Sequence, residues 1–311
     1  MGANIKRVLL AIDGSNQAMG AIRYVGAFLP PAHTEVVLFH VQAEVPESLL
    51  DLGIDPSLAS DIAPISTWSR QVEKHIEEFM EKGADLLVQA GFPTDRIGKM
   101  VRDRKSGIAR DILEEAGQGY DALVVGRSGV SNLTNVVVGS VAHKLVNTIH
   151  RIPIAVVGGS PEPQNVLIGF DGSEGSMRAV DFVCSMLSGR ELAVMLCLVV
   201  RSLGIHFGAD LVFGAEHEEA WLRAISSQIE RGHPEAETRL RDAGFHPDNV
   251  YTRVLENMTS RAEGLTRAAE TGGFGTLVLG RRGVSDVSGF AMGRVTRKVL
   301  HMADSMAVWI V

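Results

Sequence analysis

The sequence writes one pattern twice. Residues 122–146 read ALVVGRSGVSNLTNVVVGSVAHKLV, and residues 276–300 read TLVLGRRGVSDVSGFAMGRVTRKVL. Each is an apolar run, a glycine pair, a polar loop and a glycine that opens an amphipathic segment. Gly126, Gly129 and Gly139 recur as Gly280, Gly283 and Gly293, all displaced by 154 (280 − 126). Near the start, RVLLAI followed by Asp13-Gly14-Ser15 recurs as NVLIGF followed by Asp171-Gly172-Ser173, displaced by 158 (171 − 13). Two shifts this close mean an internal duplication with small loop deletions, so the fold must be two like units. At 311 residues each unit is long enough to bury its own core.

Between these landmarks the apolar pattern changes period. Arg7–Ile12, Glu35–Val41, Asp121–Val125 and Ile154–Val157 are short runs rich in branched residues, which suit strands covered on both faces. Arg96–Val101 is more mixed and reads as an edge strand. Helices are expected from Ser15 or Asn16 to Phe28, stopped by Pro30-Pro31, then over Ser66–Ala90, Ser106–Ala116 and Ser140–Ile149. The stretch 43–65, with Pro46, Pro56 and Pro64, reads as an irregular loop. The second unit repeats the order. Strands fall at Asn165–Phe170, Leu192–Val200, Val250–Leu255, Thr276–Leu279 and Ala307–Val311. Its long helix lies within 215–243, with a break expected at Gly232-His233-Pro234, and Ser260–Glu270 is a short one. Domains of 1–158 and 164–311 follow, joined by a turn-rich linker at 159–163. Strands alternating with helices predict an α/β fold: two tandem Rossmann-like domains, each a five-stranded parallel sheet flanked by helices.

In such sheets ligands sit beyond the carboxyl ends of the strands. Asp13 and Gly126 both end strands, so they should meet at one cleft. Gly126 and Gly129 let the backbone turn and approach a ligand with no Cβ in the way. Gly139-Ser140 opens a helix, whose free N–H groups and one hydroxyl suit phosphate oxygens. Glycines in one such loop would explain no more than a corner. The full spacing between strand and helix, written twice, favours phosphate. Arg127 would add a charge to that phosphate or project to solvent. Asp13 is either a turn residue of Asp-Gly-Ser or a ligand for a ribose hydroxyl or a phosphate-bound metal ion.

The spacing G-2x-G-9x-G-[ST], with an opening strand that ends in Asp-Gly-Ser, resembles the universal stress protein family in its tandem two-domain form. The likeness covers nearly the whole chain. It implies an adenine-nucleotide-α-hydrolase-like fold with strand order 3-2-1-4-5 in each domain. It also implies ATP as the ligand; were Asp13 to hold a phosphate-bound metal ion, that ion would be Mg²⁺. Carried over, the binding residues are Ala11, Ile12, Asp13, Val41, Gly126, Arg127, Gly129, Gly139, Ser140 and Val141. Their counterparts in the second copy are Asp171, Gly280, Arg281, Gly283, Gly293 and Arg294. The second copy departs from the pattern, because Arg294 stands where Ser or Thr is expected. Either Arg294 pairs directly with phosphate or its bulk fills the phosphate position. Its neighbours Arg281, Arg282 and Arg297 favour anion contact.

Other chemistry finds little support. No nucleophile has a spaced base partner, and the ten histidines show no HExxH-type ligand spacing. This points to a stress-response binding protein with at most slow ATP hydrolysis, the alternatives being an interaction module or a slow ATPase. A net charge of −7 argues against a nucleic-acid or anionic-membrane surface. Cys184 and Cys197 sit in apolar runs and read as reduced core residues of a cytoplasmic protein. The fifth strands are apolar and call for partners. The family resemblance implies that they pair within the chain as a pseudo-dimer, and a homodimer of chains is a further possibility.

Overall fold

The computed structural model describes residues 5–42, 65–128, 138–159, 161, 165–201, 232–283 and 291–311. The loop expected at 43–65 therefore lies almost wholly outside the described residues, as does Gly129. In the first half the strands are β1 (Lys6–Ala11), β2 (Thr34–Gln42), β3 (Ile97–Asp103), β4 (Ala122–Gly126) and β5 (Ile154–Val157). The helices are α1 (Asn16–Phe28), α2 (Ile65–Gln89), α3 (Ile108–Ala116) and α4 (Ser140–Thr148). The second half has β6 (Asn165–Gly169), β7 (Ala193–Arg201), β8 (Val250–Met258), β9 (Thr276–Leu279) and β10 (Ala307–Ile310). Its helices are α5 (Glu174–Leu187), α6 over 232–242, α7 (Arg261–Gly272) and α8 (Arg294–Met302). From Gly232 onward the chain is helical, so Gly232-His233-Pro234 belongs to α6; what precedes it lies outside the described residues.

All ten strands form one sheet, in the order β3-β2-β1-β4-β5-β10-β9-β6-β7-β8. Each half has the order 3-2-1-4-5, and every pairing inside a half is parallel. The halves meet where β5 pairs antiparallel with β10, with Ile154 opposite Ile310, Ala155 opposite Trp309 and Val156 opposite Val308. A parallel sheet covered on both faces needs apolar residues at every strand position, and β1 shows the division. Val8 and Leu10 join the layer under α1, α2, α5 and α6, while Leu9 joins the layer under α3, α4, α7 and α8. Both layers run across the junction without a break. The strands β3 and β8 end the sheet, and their exposed Val101, Tyr251 and Val254 mark them as edges.

The same local devices position the site in both halves. Ser15 caps α1 by accepting from the Ala18 amide at 3.1 Å, and Ser173 caps α5 by accepting from the Ser176 amide at 3.2 Å. The turn before each cap needs positive φ, which Gly14 supplies at 80° and Gly172 at 70°.

Candidate functional site

The cleft of the first half forms where β1, β2 and β4 end. Ala11 pairs with Val125 across β1 and β4, so Asp13 and Gly126 leave the sheet side by side. A Cβ on Gly126 would stand 3.2 Å from the Gln17 carbonyl carbon and 3.3 Å from the Ala18 nitrogen, so the glycine lets β4 close against the start of α1. Asp13 Oδ1 accepts from the Ser15 amide at 3.0 Å. That bond makes Asp13 a turn residue, and its second oxygen is not used in the turn.

The floor of the cleft is tied across strands. Ile12 donates to the Phe39 carbonyl at 2.9 Å, and its own carbonyl accepts from His40 Nδ1 at 2.9 Å. Because a carbonyl can only accept, His40 carries its proton on Nδ1. Burial pushes the His40 pKa below its ordinary value, and the carbonyl and Asp13 only partly oppose this, so the ring is a neutral strut. Val41, on the next residue of β2, is buried beside it.

The start of α4 lies against the end of β4, beside this floor's β1 strand. Gly139 is the N-cap of α4, and among the described residues no side chain caps it. The first amides of α4, on Ser140, Val141 and Ala142, are therefore those a helix leaves without an internal partner. Ser140 is exposed at the first helical position. The Gly139 amide donates to the Arg127 carbonyl at 2.7 Å, which fixes the helix start against the end of β4. Such a backbone cradle, at the positive end of the helix dipole, has the chemistry to hold an anion.

Arg127 is not part of that cradle, contrary to the sequence expectation. It is 5% exposed, and its guanidinium crosses to the second half. There Nη1 donates to the Ala303 carbonyl at 2.9 Å and Nη2 to the His301 carbonyl at 3.0 Å, at the C-terminal end of α8. Arg281 mirrors it: 9% exposed, it donates through Nη1 to the Val146 carbonyl of α4 at 2.7 Å. Burial lowers both guanidinium pKa values; Asp304 works against this at Arg127, whereas Arg282 adds to it at Arg281. The two arginines clamp the halves together by capping each other's last helix. A sequence signal for this existed: the arginine is the same in both copies, although the residue facing the phosphate position is not.

The second cleft is built alike and packed more tightly. Gly293 caps α8 without a side-chain partner, and its amide donates to the Arg281 carbonyl at 2.8 Å. Gly175 takes the place of Gln17 in the first half. A methyl group on Gly175 would overlap the Arg282 carbonyl, and one on Gly280 would lie 2.5 Å from the Gly175 backbone. A methyl group on Gly283 would overlap the Asp171 carboxylate. Asp171 also accepts from the Ser173 amide at 3.1 Å and from the Ser173 hydroxyl. Arg294 is exposed at the first position of α8, and Thr296 hydrogen-bonds the Gly280 carbonyl at 2.9 Å. The glycine turn of this half thus rests directly on the start of α5.

Among the described residues, no three or more His, Cys, Asp or Glu side chains converge as a metal site, and no helix is long and apolar enough to cross a membrane. Both cysteines are free thiols; burial pushes the pKa of Cys184 up to about 12 and that of Cys197 up to about 11.

Two 3-2-1-4-5 halves of one sheet, each with a glycine-capped helix at the switch point, define a tandem Rossmann-like α/β protein. The sequence profile of the universal stress protein family matches twice, at residues 4–158 and 163–311, and the chain belongs to that family. A universal stress protein from Archaeoglobus fulgidus has a similar fold over 100% of this chain and 98% of its own, with TM-score 0.63 at 15% identity. A protein of unknown function from Pseudomonas aeruginosa PAO1 aligns over 99% of this chain and 92% of its own, with TM-score 0.53 at 14% identity. A putative universal stress protein from Pseudomonas aeruginosa UCBPP-PA14 aligns over 99% and 93%, with TM-score 0.51 at 14% identity. A search of curated proteins finds no match.

Proposed function

We propose that the first half binds an adenine nucleotide, ATP, as a stress-response binding protein of the cytoplasm, with at most slow hydrolysis. The observation that carries this reading is the N-terminus of α4, capped by Gly139, held against the end of β4, the strand that pairs with β1 beside Asp13. The triphosphate lies on the amides of Ser140 and Val141 and on the Ser140 hydroxyl. The ribose lies near Asp13, and the adenine packs on Ala11, Ile12 and Val41. Mg²⁺, when bound, would neutralise phosphate charge, and Asp13 would hold it. Among the described residues of the first cleft, no nucleophile is paired with a base.

The second half is proposed as a closed cleft. Its glycine turn sits on α5, and Asp171 fills the space against Gly283. A second reading, an interaction module that leaves both clefts empty, is favoured by that closure alone. The joining of β5 to β10 supports an intrachain pseudo-dimer. The deciding measurement is equilibrium ATP titration of the wild type, Gly139→Val and Gly293→Val. Binding should weaken at least tenfold in Gly139→Val and stay within twofold in Gly293→Val. Equal affinity for all three proteins would sink the cradle assignment.

A further inference from the structure

Two helices flank the junction on one side of the sheet. Both α4 and α8 belong to the layer that also holds α3 and α7, packed on the antiparallel pair β5 and β10. The arginine clamps fasten them at both ends. Gly139, at the start of α4, bonds Arg127, whose guanidinium holds the last carbonyls of α8. Gly293, at the start of α8, bonds Arg281, which holds the Val146 carbonyl near the end of α4. The two helices therefore lie side by side and run in opposite directions.

Their inner faces bury Ala142, Leu145 and Val146 on α4, and Val299 and Leu300 on α8. Their outer faces carry no carboxylate, because neither Ser140–Thr148 nor Arg294–Met302 contains Asp or Glu. Exposed there are His143 and Lys144 on α4, and Arg294, Arg297, Lys298 and His301 on α8. The α8 residues sit at i, i+3, i+4 and i+7, a row about 10 Å long on one side of the helix. Lys144 and Lys298 hold the same position in the two repeats, displaced by 154 (298 − 144). Several cations elsewhere are matched by acids: Lys99 by Glu81, Arg178 by Glu174 and Arg239 by Asp181. The side chains of Lys144, Arg294, Arg297 and Lys298 make no hydrogen bond or ion pair among the described residues.

We propose that the outer face of α4 and α8 docks an acidic segment of a partner protein. Cations in two antiparallel rows match carboxylates on a single segment lying between them. Packed helices lie about 8–10 Å apart, so the face is roughly 20 Å wide. Exposed carboxylates return on either side, at Glu114 of α3 and at Glu263 and Glu270 of α7, and would repel a longer polyanion such as duplex DNA. Neither helix offers an aromatic ring on which bases could stack. Met302 is the one large apolar side chain exposed on either helix, too little to anchor in a membrane. A second copy of this chain is a weaker match. Its α2 carries exposed acids, but Glu78 already pairs with Lys74 and Glu81 with Lys99. The face does not depend on the first half binding ATP.

The test is fluorescence anisotropy of a labelled glutamate-rich helical peptide, titrated with the full-length protein at low and at raised salt. The same peptide with glutamine for glutamate is the control. The wild type should bind the glutamate peptide at least tenfold more tightly than the glutamine one, and salt should weaken that binding. Lys144→Glu with Lys298→Glu should cut the affinity at least tenfold at an unchanged thermal midpoint. Arg23→Glu with Lys82→Glu makes the same change of charge on the opposite layer and should stay within twofold. Lys298→Glu should keep its ATP affinity and Gly139→Val its peptide affinity, which separates this face from the cradle. Equal binding of the two peptides, or of the wild type and the Lys144→Glu/Lys298→Glu protein, would overturn the proposal. Tighter binding of a short DNA duplex or of phosphatidylserine vesicles would overturn it too. Salt-sensitive self-association of the wild type, abolished by Glu77→Lys, would give the face to a second copy instead.

Discussion

A guanidinium taken out of water costs several kcal/mol unless hydrogen bonds and opposite charge replace its hydration. At Arg127 two carbonyl bonds, the negative end of α8 and Asp304 share that replacement. Hydrogen bonds to a charged group contribute roughly 1.5–3 kcal/mol each. Replacing Arg127 by alanine should therefore cost about 3 kcal/mol in urea unfolding. Arg281→Ala should cost about half as much, because its Nη2 makes no hydrogen bond. Equal losses would contradict the asymmetry. Lysine at 127 should recover little, since a single ammonium cannot span two carbonyls as a fork does. His40 sets a different test. Its folded pKa lies below its ordinary value, so above the ordinary value the ring is neutral in both states and stability is flat. As pH falls through about 6.5 the unfolded chain takes up the proton first, and stability drops by at most ~1.4 kcal/mol per pH unit from this group. Unfolding midpoints measured from about pH 7.5 to pH 5.5 should slope less in His40→Gln; an unchanged slope would place the titration elsewhere. At this scale the sequence was a partial guide. The glycines and the Asp-Gly-Ser turns are fixed by local backbone geometry and could be read directly. The direction in which Arg127 points is set by a helix 174 residues away, and no local pattern encodes it.

The elements obey their own sequences closely, because each strand is an apolar run bounded by a turn and each helix has a local start or stop. Ile154–Val157 and Thr276–Leu279 coincide with the expected strands, and β3 and β8 are edges, as the mixed pattern of β3 predicts. What local pattern leaves out is the junction packing. Trp309 is fully buried on β10, stacks near Phe28, meets Phe182 at a tilt, and donates to the Tyr24 hydroxyl at 2.8 Å. Tyr24 Oη in turn lies 3.1 Å from Thr276 Oγ1. Burial raises the Tyr24 pKa, so the phenol stays protonated and the chain of hydrogen bonds is neutral. The contacts join α1 of the first half to β9 and β10 of the second. Trp309→Ala should cost about 4 kcal/mol, the usual loss for a large buried aromatic. Tyr24→Phe should cost about 1–2 kcal/mol, because it strands a buried indole N–H. Chemical denaturation checks both, and a Tyr24→Phe protein as stable as wild type would mean that the triad contributes packing alone.

At the scale of the whole molecule, one sheet and two continuous apolar layers make the halves a single structural body. The duplication was evident from the repeated glycines, yet the ten-stranded sheet depends on β5 finding β10, a pairing no single repeat could reveal. Residues 1–158 expressed alone would leave the β5 edge and the contact faces of Tyr24 and Phe28 uncovered. Sedimentation should show that piece aggregating rather than forming a discrete dimer, and a stable monomer would show that the junction is dispensable. The pairing Trp309 opposite Ala155 has one more consequence. The two residues occupy the same position in their repeats, displaced by 154 (309 − 155). Joining two first halves in this register would set Ala155 against Ala155 and leave a hole. Joining two second halves would set Trp309 against Trp309 and overfill the same space. Only unlike halves fit as knob and socket, so the duplicated gene has lost the interchangeability of its parts: each half has become the other's obligatory complement.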